Sequence, residues 1–251
     1  MTKETKMNKE KLQLKKTHDI CVSKKPRLTV VMLHGISSSS KTYTKALKYL
    51  EKVDSLKDVR FVTFDLLGSG ESPKSDELNY GFDEQIEALD NAIEALNATG
   101  PIVLVGHSMG CLISIRYADT HKRKIKELIL LSPPIYRPED FKNPIFVAGQ
   151  DAFKKAVFQK DPTLKTDKAF NNELKLIVMN QHNYDIYEKI DKPTTLIFGL
   201  ADQIIASFNI PRLLKNNKHI SAVEVPDAHS ITHEKYIKVV PILERILDET
   251  I

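Results

Sequence analysis

Ile102-Val103-Leu104-Val105-Gly106-His107-Ser108-Met109-Gly110-Cys111-Leu112-Ile113-Ser114-Ile115-Arg116-Tyr117-Ala118 decides the fold. Ile102 to Val105 are apolar and mostly β-branched, and read as a strand buried on both faces. Leu112, Ile113, Ile115 and Tyr117 then lie in a helix-compatible stretch. Between them stands Gly106-His107-Ser108-Met109-Gly110, a G-x-S-x-G. A strand that becomes a helix within five residues leaves no room for large side chains at the corner. The two glycines relieve that crowding, and the serine is held strained with its hydroxyl exposed. The helix also aims its first N–H groups, from Met109 onward, at any anion forming beside Ser108. Such a pattern arises by accident in about one chain in ten of this size. Its place between a strand and a helix separates it from a Gly-rich turn with an incidental serine.

Outward from this corner, strands and helices alternate. Upstream, Leu28 to Leu33 is a buried strand that ends in His34-Gly35-Ile36 and a run of four serines, Ser37 to Ser40. The serines are expected to cap a helix of about Thr42 to Lys52. Val59 to Phe64 is the next strand, followed by Asp65-Leu66-Leu67-Gly68-Ser69-Gly70-Glu71-Ser72-Pro73, a turn rich in tight-bend residues. Phe82 to Leu96 carries Ile86, Leu89, Ile93 and Leu96 at helical spacing. Leu12 to Val22 has a poor pattern that accommodates one or two short strands.

Downstream, Leu128 to Leu131 reads as a strand, and the alternation then pauses from Ser132 to Lys192. Pro133, Pro134, Pro138 and Pro144 mark an irregular start, and helix-like stretches follow near Ala152 to Phe158 and Phe170 to Met179. So long a break favours an inserted lid. The pattern resumes with the strand Thr195 to Phe198, a helix around Pro211 to Lys215, the strand Ala222 to Val225 and a terminal helix from about Thr232 to Leu247. Such alternation implies an α/β fold with a mostly parallel sheet covered on both faces. The expected organisation is a basic tail with short strands at 1–26, a core formed by 27–132 and 193–251, and a lid at 133–192.

The 251 residues suffice for one substantial core. Apolar content of 41% and charged content of 28% place the chain among globular proteins. The net charge of +4 is small, and much of it sits in Lys3, Lys6, Lys9, Lys11, Lys15 and Lys16, read as a solvated tail. No basic stretch with interleaved aromatics points to nucleic acid. No run approaches a membrane span and the N-terminus has no apolar h-region, so the cytoplasm is the expected compartment. Cys21 and Cys111 have no metal or redox spacing, and Cys111 reads as a small buried hydrophobe. No His/Cys/Asp/Glu cluster has metal-ligand spacing, and no cofactor is implied.

A serine hydroxyl needs a base to take its proton, and the base needs an orienting carboxylate. In a parallel sheet, functional groups gather at the carboxyl ends of the strands. There the chain offers Asp202, in Gly199-Leu200-Ala201-Asp202, and His229, in Pro226-Asp227-Ala228-His229. Asp202 also reads as a turn or N-cap residue. Asp227 is a rival acid that looks like turn chemistry, and His233 is a rival base inside the last expected helix. His18, His121, His182 and His219 stand in no constellation.

Together these features resemble the α/β-hydrolase fold family, over nearly everything from Leu28 onward. The resemblance is carried by His34-Gly35, Asp65 to Pro73, Gly106 to Gly110, Asp202 with Ile204 and Ile205, and His229 followed by Glu234. It implies that Ser108 is the nucleophile, His229 the general base and acid, and Asp202 the orienting carboxylate. It implies an oxyanion hole made by the backbone N–H groups of Ile36 and Met109. Two departures are visible: serines follow Ile36 where many relatives have a further glycine, and Cys111 stands where relatives often have another.

The implied activity is hydrolysis of small-molecule carboxylic esters through an acyl-enzyme, as in small carboxylesterases and monoacylglycerol lipases. Thioester, amide or carbon–carbon bond hydrolysis on the same triad is the alternative, as is a ligand-binding protein on a hydrolase scaffold. The serine at the elbow disfavours the dehalogenase and epoxide-hydrolase branches, which attack with a carboxylate. Apolar residues such as Phe146 and Phe153, together with His34 and His107, are the expected substrate-binding residues. The apolar residues read equally well as the core of the lid, and His34 and His107 equally as structural hydrogen bonders.

Overall fold

The computed structural model describes residues 12–122, 124–229, 231 and 236–251. Seven strands form one sheet: β1 Lys15–Ile20, β2 Leu28–Leu33, β3 Val59–Asp65, β4 Ile102–His107, β5 Ile125–Leu131, β6 Thr194–Gly199 and β7 Ile220–Val225, in the order β1-β3-β2-β4-β5-β6-β7. All neighbours are parallel except β1, which pairs antiparallel with β3 at the edge. The helices are α1 Thr44–Leu50, α2 Phe82–Ala95, α3 Met109–Thr120, α4 Pro144–Lys160, α5 Lys168–Glu173, α6 Asn183–Lys189, α7 Ile210–Asn216 and α8 Tyr236–Thr250.

The central strands have no polar face because both faces are covered. Val31, Leu33, Val62, Phe64, Leu104, Leu128 and Leu130 join one core with Ala88, Leu89 and Ile93 of α2 and most of α3. The intervening residues, Val30, Met32, Phe61, Val103, Val105 and Ile129, join a second core with Leu47 and Leu50 of α1 and Val239, Leu243 and Leu247 of α8. This period-two division follows from the pleat. Fully burying one such side chain stabilises by about 1.5–3 kcal/mol.

The parallel register brings the strand ends level. Leu33 lies beside Gly106 and Phe64, His107 beside Leu131, Leu131 beside Ile197, and Gly199 beside Val225. The loops after β2, β3, β4, β5, β6 and β7 therefore leave one edge of the sheet together. Buried Asp65 binds two of these loops. Its Oδ1 accepts the Ser40 N–H at 2.8 Å and its Oδ2 accepts the Glu71 N–H at 2.9 Å. Burial pushes the Asp65 carboxyl up, but the N–H groups of Glu71 and Ser40 outweigh it and hold the group below the usual carboxylate range.

Several expectations shift. The serine run does not open an α-helix: Ser40–Tyr43 is a 3₁₀ turn, Ser39 makes no side-chain cap, and α1 begins at Thr44. Pro144 does not prolong an irregular stretch. It is the first residue of α4, where its missing N–H is harmless, and Asn143 caps it by accepting the N–H groups of Ile145 and Phe146. The second helix-like stretch is α5 continued by a π turn, Leu174–Val178, and α6 is an additional helix. Leu12 to Val22 holds one strand, not two. The basic residues up to Lys11, His233, Glu234 and the expected start of the last helix at Thr232 lie outside the described residues.

Arg60 of β3 secures the edge strand. Its Nε and Nη2 donate to Asp19 at 2.7 and 2.8 Å, and its Nη1 donates to the Leu96 carbonyl at 2.9 Å. These bonds pull the Asp19 carboxyl down to about 2 from an ordinary 3.8. A depressed carboxylate stabilises the fold fully above its unfolded-state pKa and loses that contribution as pH falls through the folded value. Asp19→Asn is therefore expected to lower stability at pH 7 by about 1–2 kcal/mol. Urea unfolding at pH 7 and at about pH 2.5 should show the deficit shrinking in acid; an undiminished deficit contradicts the assignment.

Candidate active site

The corner after β4 is sterically closed. A Cβ on Gly106 would lie 2.5 Å from the Gly110 carbonyl oxygen, and one on Gly110 would lie 2.2 Å from the Leu33 carbonyl oxygen. Both positions admit glycine alone. Between them Ser108 adopts φ 51°, ψ −116°, outside the ordinary regions for an L-residue. Strain of this kind costs about 1–3 kcal/mol and persists only where the surroundings hold it. Here the Ser108 N–H donates to the Leu131 carbonyl at 2.9 Å, and its own carbonyl accepts the Cys111 N–H at 2.9 Å. The Cys111 thiol is fully buried and lies 3.2 Å from the carbonyls of Gly106 and Leu131. Burial pushes that thiol well up, so it packs beneath the corner as an inert group.

The loops after β6 and β7 meet this serine. His229 Nε2 lies 3.0 Å from Ser108 Oγ, and His229 Nδ1 lies 2.9 Å from Asp202 Oδ2. The Asp202 side chain is wholly buried and that of His229 nearly so. With the carboxylate accepting Nδ1–H, Nε2 is left to accept the serine hydroxyl proton. Asp202 Oδ1 accepts the Ile204 N–H at 3.0 Å, which fixes the carboxylate in its loop. Asp227 does not reach the imidazole in this way; its Oδ1 accepts the Ala228 N–H at 2.8 Å, as a turn residue does.

Several residues that hold the constellation carry no sequence motif. The His229 carbonyl accepts hydrogen bonds from His107 Nε2 and Ser132 Oγ, each at 3.1 Å. Ser132, like Ser108, has a positive φ, 48°, just past a strand end. The Ile204 carbonyl accepts from Tyr136 Oη at 2.7 Å and from Gln150 Nε2 of α4 at 2.6 Å. The helical segment between β5 and β6 thus grips the loop that carries Asp202. Nothing in the sequence singles out Ser132; its positive φ just past a strand end emerges only in the fold.

Two expected substrate-binding residues are placed elsewhere. His34 is completely buried, with Nδ1–H donating to the Gly35 carbonyl at 2.8 Å and Nε2 accepting the Leu66 N–H at 3.0 Å. Burial pushes its imidazole below the usual range, so it stays neutral and ties the loop after β2 to the turn after β3. Phe146 is buried with Tyr136 and Ala206 in a small third cluster, edge-on to Tyr136 and Phe141. Its apolar surface is already satisfied there. His107 serves the His229 backbone. Its ring and that of Phe153 both face the imidazole of His229, tilted with centroids 5.4 Å apart for His107 and edge-on at 6.2 Å for Phe153. The loop after β2 runs close against Ser108, since a Cβ on Gly35 would lie 3.1 Å from Ser108 Cβ. The N–H groups of Ile36 and Met109 meet no protein acceptor among the described residues.

Elsewhere, His18 lies 2.5 Å from Glu51, His121 3.5 Å from Asp90 and His182 3.2 Å from Asp185, none of them paired with Ser108, Asp202 or His229. Among the described residues no group of three or more His, Cys, Asp or Glu side chains could hold a metal ion. No helix among them is long and apolar enough to cross a membrane.

Comparison with known proteins gives this geometry a family. Residues 29–166 match the model of the alpha/beta hydrolase fold. The chain is 34% identical over 119 residues to probable lysophospholipase BODYGUARD 5 of Arabidopsis thaliana, covering 47% of this chain and 27% of that protein. The match thus spans about a quarter of the length of that relative. Lipase 1 of Psychrobacter immobilis is 28% identical over 249 residues, covering 88% of this chain and 74% of the lipase. An esterase from Exiguobacterium antarcticum superposes with a TM-score of 0.71 at 16% identity, covering 93% of this chain and 95% of that one, a likeness of fold. With its family-model match over more than half its length and its seven-stranded sheet in the same arrangement, the chain belongs to the alpha/beta-hydrolase fold family.

Proposed function

We propose that this protein is a serine hydrolase that cleaves carboxylic esters through an acyl-enzyme intermediate. The observation that carries the reading is the unbroken chain from Asp202 through His229 to a serine held at a positive-φ corner. The likeness to a lipase and to probable lysophospholipases supports an ester as the bond attacked.

On this reading, Ser108 Oγ attacks the ester carbonyl while His229 Nε2 takes its proton. Asp202 stabilises the imidazolium that results and keeps the ring in the tautomer that can accept. The carbonyl oxygen becomes an oxyanion, which the N–H groups of Ile36 and Met109 receive; such donors contribute about 3–4 kcal/mol each to transition-state stabilisation. Met109 is the first residue of α3, so the helix terminus adds its partial positive charge. Collapse expels the alcohol, which takes the proton from Nε2. A water molecule, deprotonated by the same nitrogen, then attacks the acyl-serine and releases the acid with Ser108 restored.

Ser108→Ala and His229→Ala should each lower kcat on a p-nitrophenyl ester by about a thousandfold or more, with cooperative unfolding intact. Activity retained within tenfold in either variant removes that residue from the mechanism. A fluorophosphonate probe should label the parent protein at Ser108, and labelling elsewhere contradicts the assignment. Asp202→Asn should cost about ten-thousandfold, because an amide cannot hold the imidazole with its proton on Nδ1. Asp227→Asn should fall within about threefold of the parent, and the reverse order of effects would transfer the orienting role to Asp227.

A further inference from the structure

Between the helical segment and the turns after β2 and β3 lies a cavity of about 370 Å³. Ser37, Ser38 and Ser69 line its sheet side, Lys74 and Asp167 stand paired at 3.4 Å on its rim, and Glu173 closes it from the end of α5. Glu173 is 2% exposed. Its Oε1 accepts from Gln85 Nε2 at 3.1 Å, and no donor among the described residues reaches Oε2. Burial, followed by the charge of Asp167, pushes this carboxyl well above the usual range. The hydroxyls of Ser37 and Ser38 likewise form no hydrogen bond among the described residues, and Ser37 is held at φ 54°.

Two elements run from this cavity to Ser108. Ser37 directly follows Ile36, one of the two proposed oxyanion donors. On α4, Phe153 lies against His229 and Val157, which lines the cavity, comes one turn later. Four helical residues rise about 6 Å, roughly the length of a three-carbon unit with its hydroxyls. A hydrocarbon chain in this cavity would leave the Glu173 carboxyl and the serine hydroxyls unpaired, whereas hydroxyls at that distance would pair them.

We propose that this cavity is a subsite for a hydroxyl-bearing arm of the ester, a short polyol such as glycerol on the alcohol side or a hydroxy acid on the acyl side, with Glu173, Ser37 and Ser38 as its hydrogen-bonding partners. Its place in a reaction rests on the ester-hydrolase reading above; its affinity for hydroxyls does not. Glu173 also steadies Gln85, which is bonded to both the N–H and the carbonyl of Leu67 at 3.2 Å. Glu173→Gln keeps a donor and an acceptor in place, so a rescue by that variant separates recognition from loss of a carboxylate charge.

The test uses full-length Ser108→Ala protein, titrated calorimetrically with glyceryl monobutyrate, with propyl 3,4-dihydroxybutyrate and with propyl butyrate. One of the two hydroxylated esters should bind at least tenfold more tightly than propyl butyrate, and which one it is names the side that enters the cavity. Adding Glu173→Leu should bring that ratio within twofold of unity, Ser38→Val should reduce it threefold or more, and Glu173→Gln should keep it within threefold of its starting value. Equal binding of the three esters, or a preference that survives Glu173→Leu in a protein melting within a few degrees of its parent, overturns the subsite. Should Glu173→Leu not fold, an undiminished preference in Ser38→Val does the same. Turnover by the Ser108 protein is read separately. Preferential binding without hydrolysis of any ester leaves the subsite standing and removes the ester-hydrolase reading; hydrolysis without preference does the opposite.

Discussion

The carbonyl oxygen of Leu33 and the backbone of Gly110 approach so closely that no side-chain atom fits between them. Much of the architecture depends on that approach. It lets α3 start against the end of β2, which leaves Ser108 no ordinary conformation and turns it upward at φ 51°. The same contact sets the loop after β2 beside the serine, so that Ile36 and Met109 present their N–H groups from two different elements. A helix displaced by the width of one methyl group would separate these donors from the hydroxyl they are proposed to serve. The strain at Ser108 is held by the Leu131 carbonyl and by the packed core below it.

The parallel register supplies the second half of the arrangement. Because β4, β5, β6 and β7 finish level, residues separated by more than a hundred positions can meet with short loops. The loops that carry Asp202 and His229 cross so tightly that a Cβ on Gly199 would lie 2.4 Å from the Asp227 carbonyl oxygen. The backbone of His229 is then fastened from β4 and β5 by His107 and Ser132. His34 and Asp65 do the corresponding work on the other side of the serine, one with a neutral imidazole and one with a carboxylate. Buried His34 and Asp65 are tolerated because both ring nitrogens of the one and both oxygens of the other are hydrogen-bonded.

The elbow serine and Asp202 were legible because each follows a strand buried along its whole length, whereas His229 follows β7, half-exposed, and was found by its place just past a strand end. What was not legible has physical causes. β1 is an edge strand with the sequence Lys-Lys-Thr-His-Asp-Ile, mostly exposed, and it lacks the apolar alternation that marks a strand. Pro144 signals a break or a helix start equally well, and only the Asn143 cap decides between them. Ser132, Tyr136 and Gln150 act on backbone carbonyls, an interaction without sequence spacing. Phe146 and Phe153 are both aromatic and lie seven residues apart on one face of α4. They are separated along the axis by about 10 Å, enough to put one in a closed cluster and the other beside the imidazole.

The hydrogen bonds from Tyr136 and Gln150 to the Ile204 carbonyl carry a further consequence. Segments between β5 and β6 are attractive places to exchange when a scaffold is to be given a new pocket, since they border the site and join the sheet at only two points. Here that segment is also a brace for the aspartate loop. A chimera that grafts a foreign cap onto this sheet without equivalents of those two donors would leave the half-buried Ile204 carbonyl without them, and the Asp202 loop less firmly held.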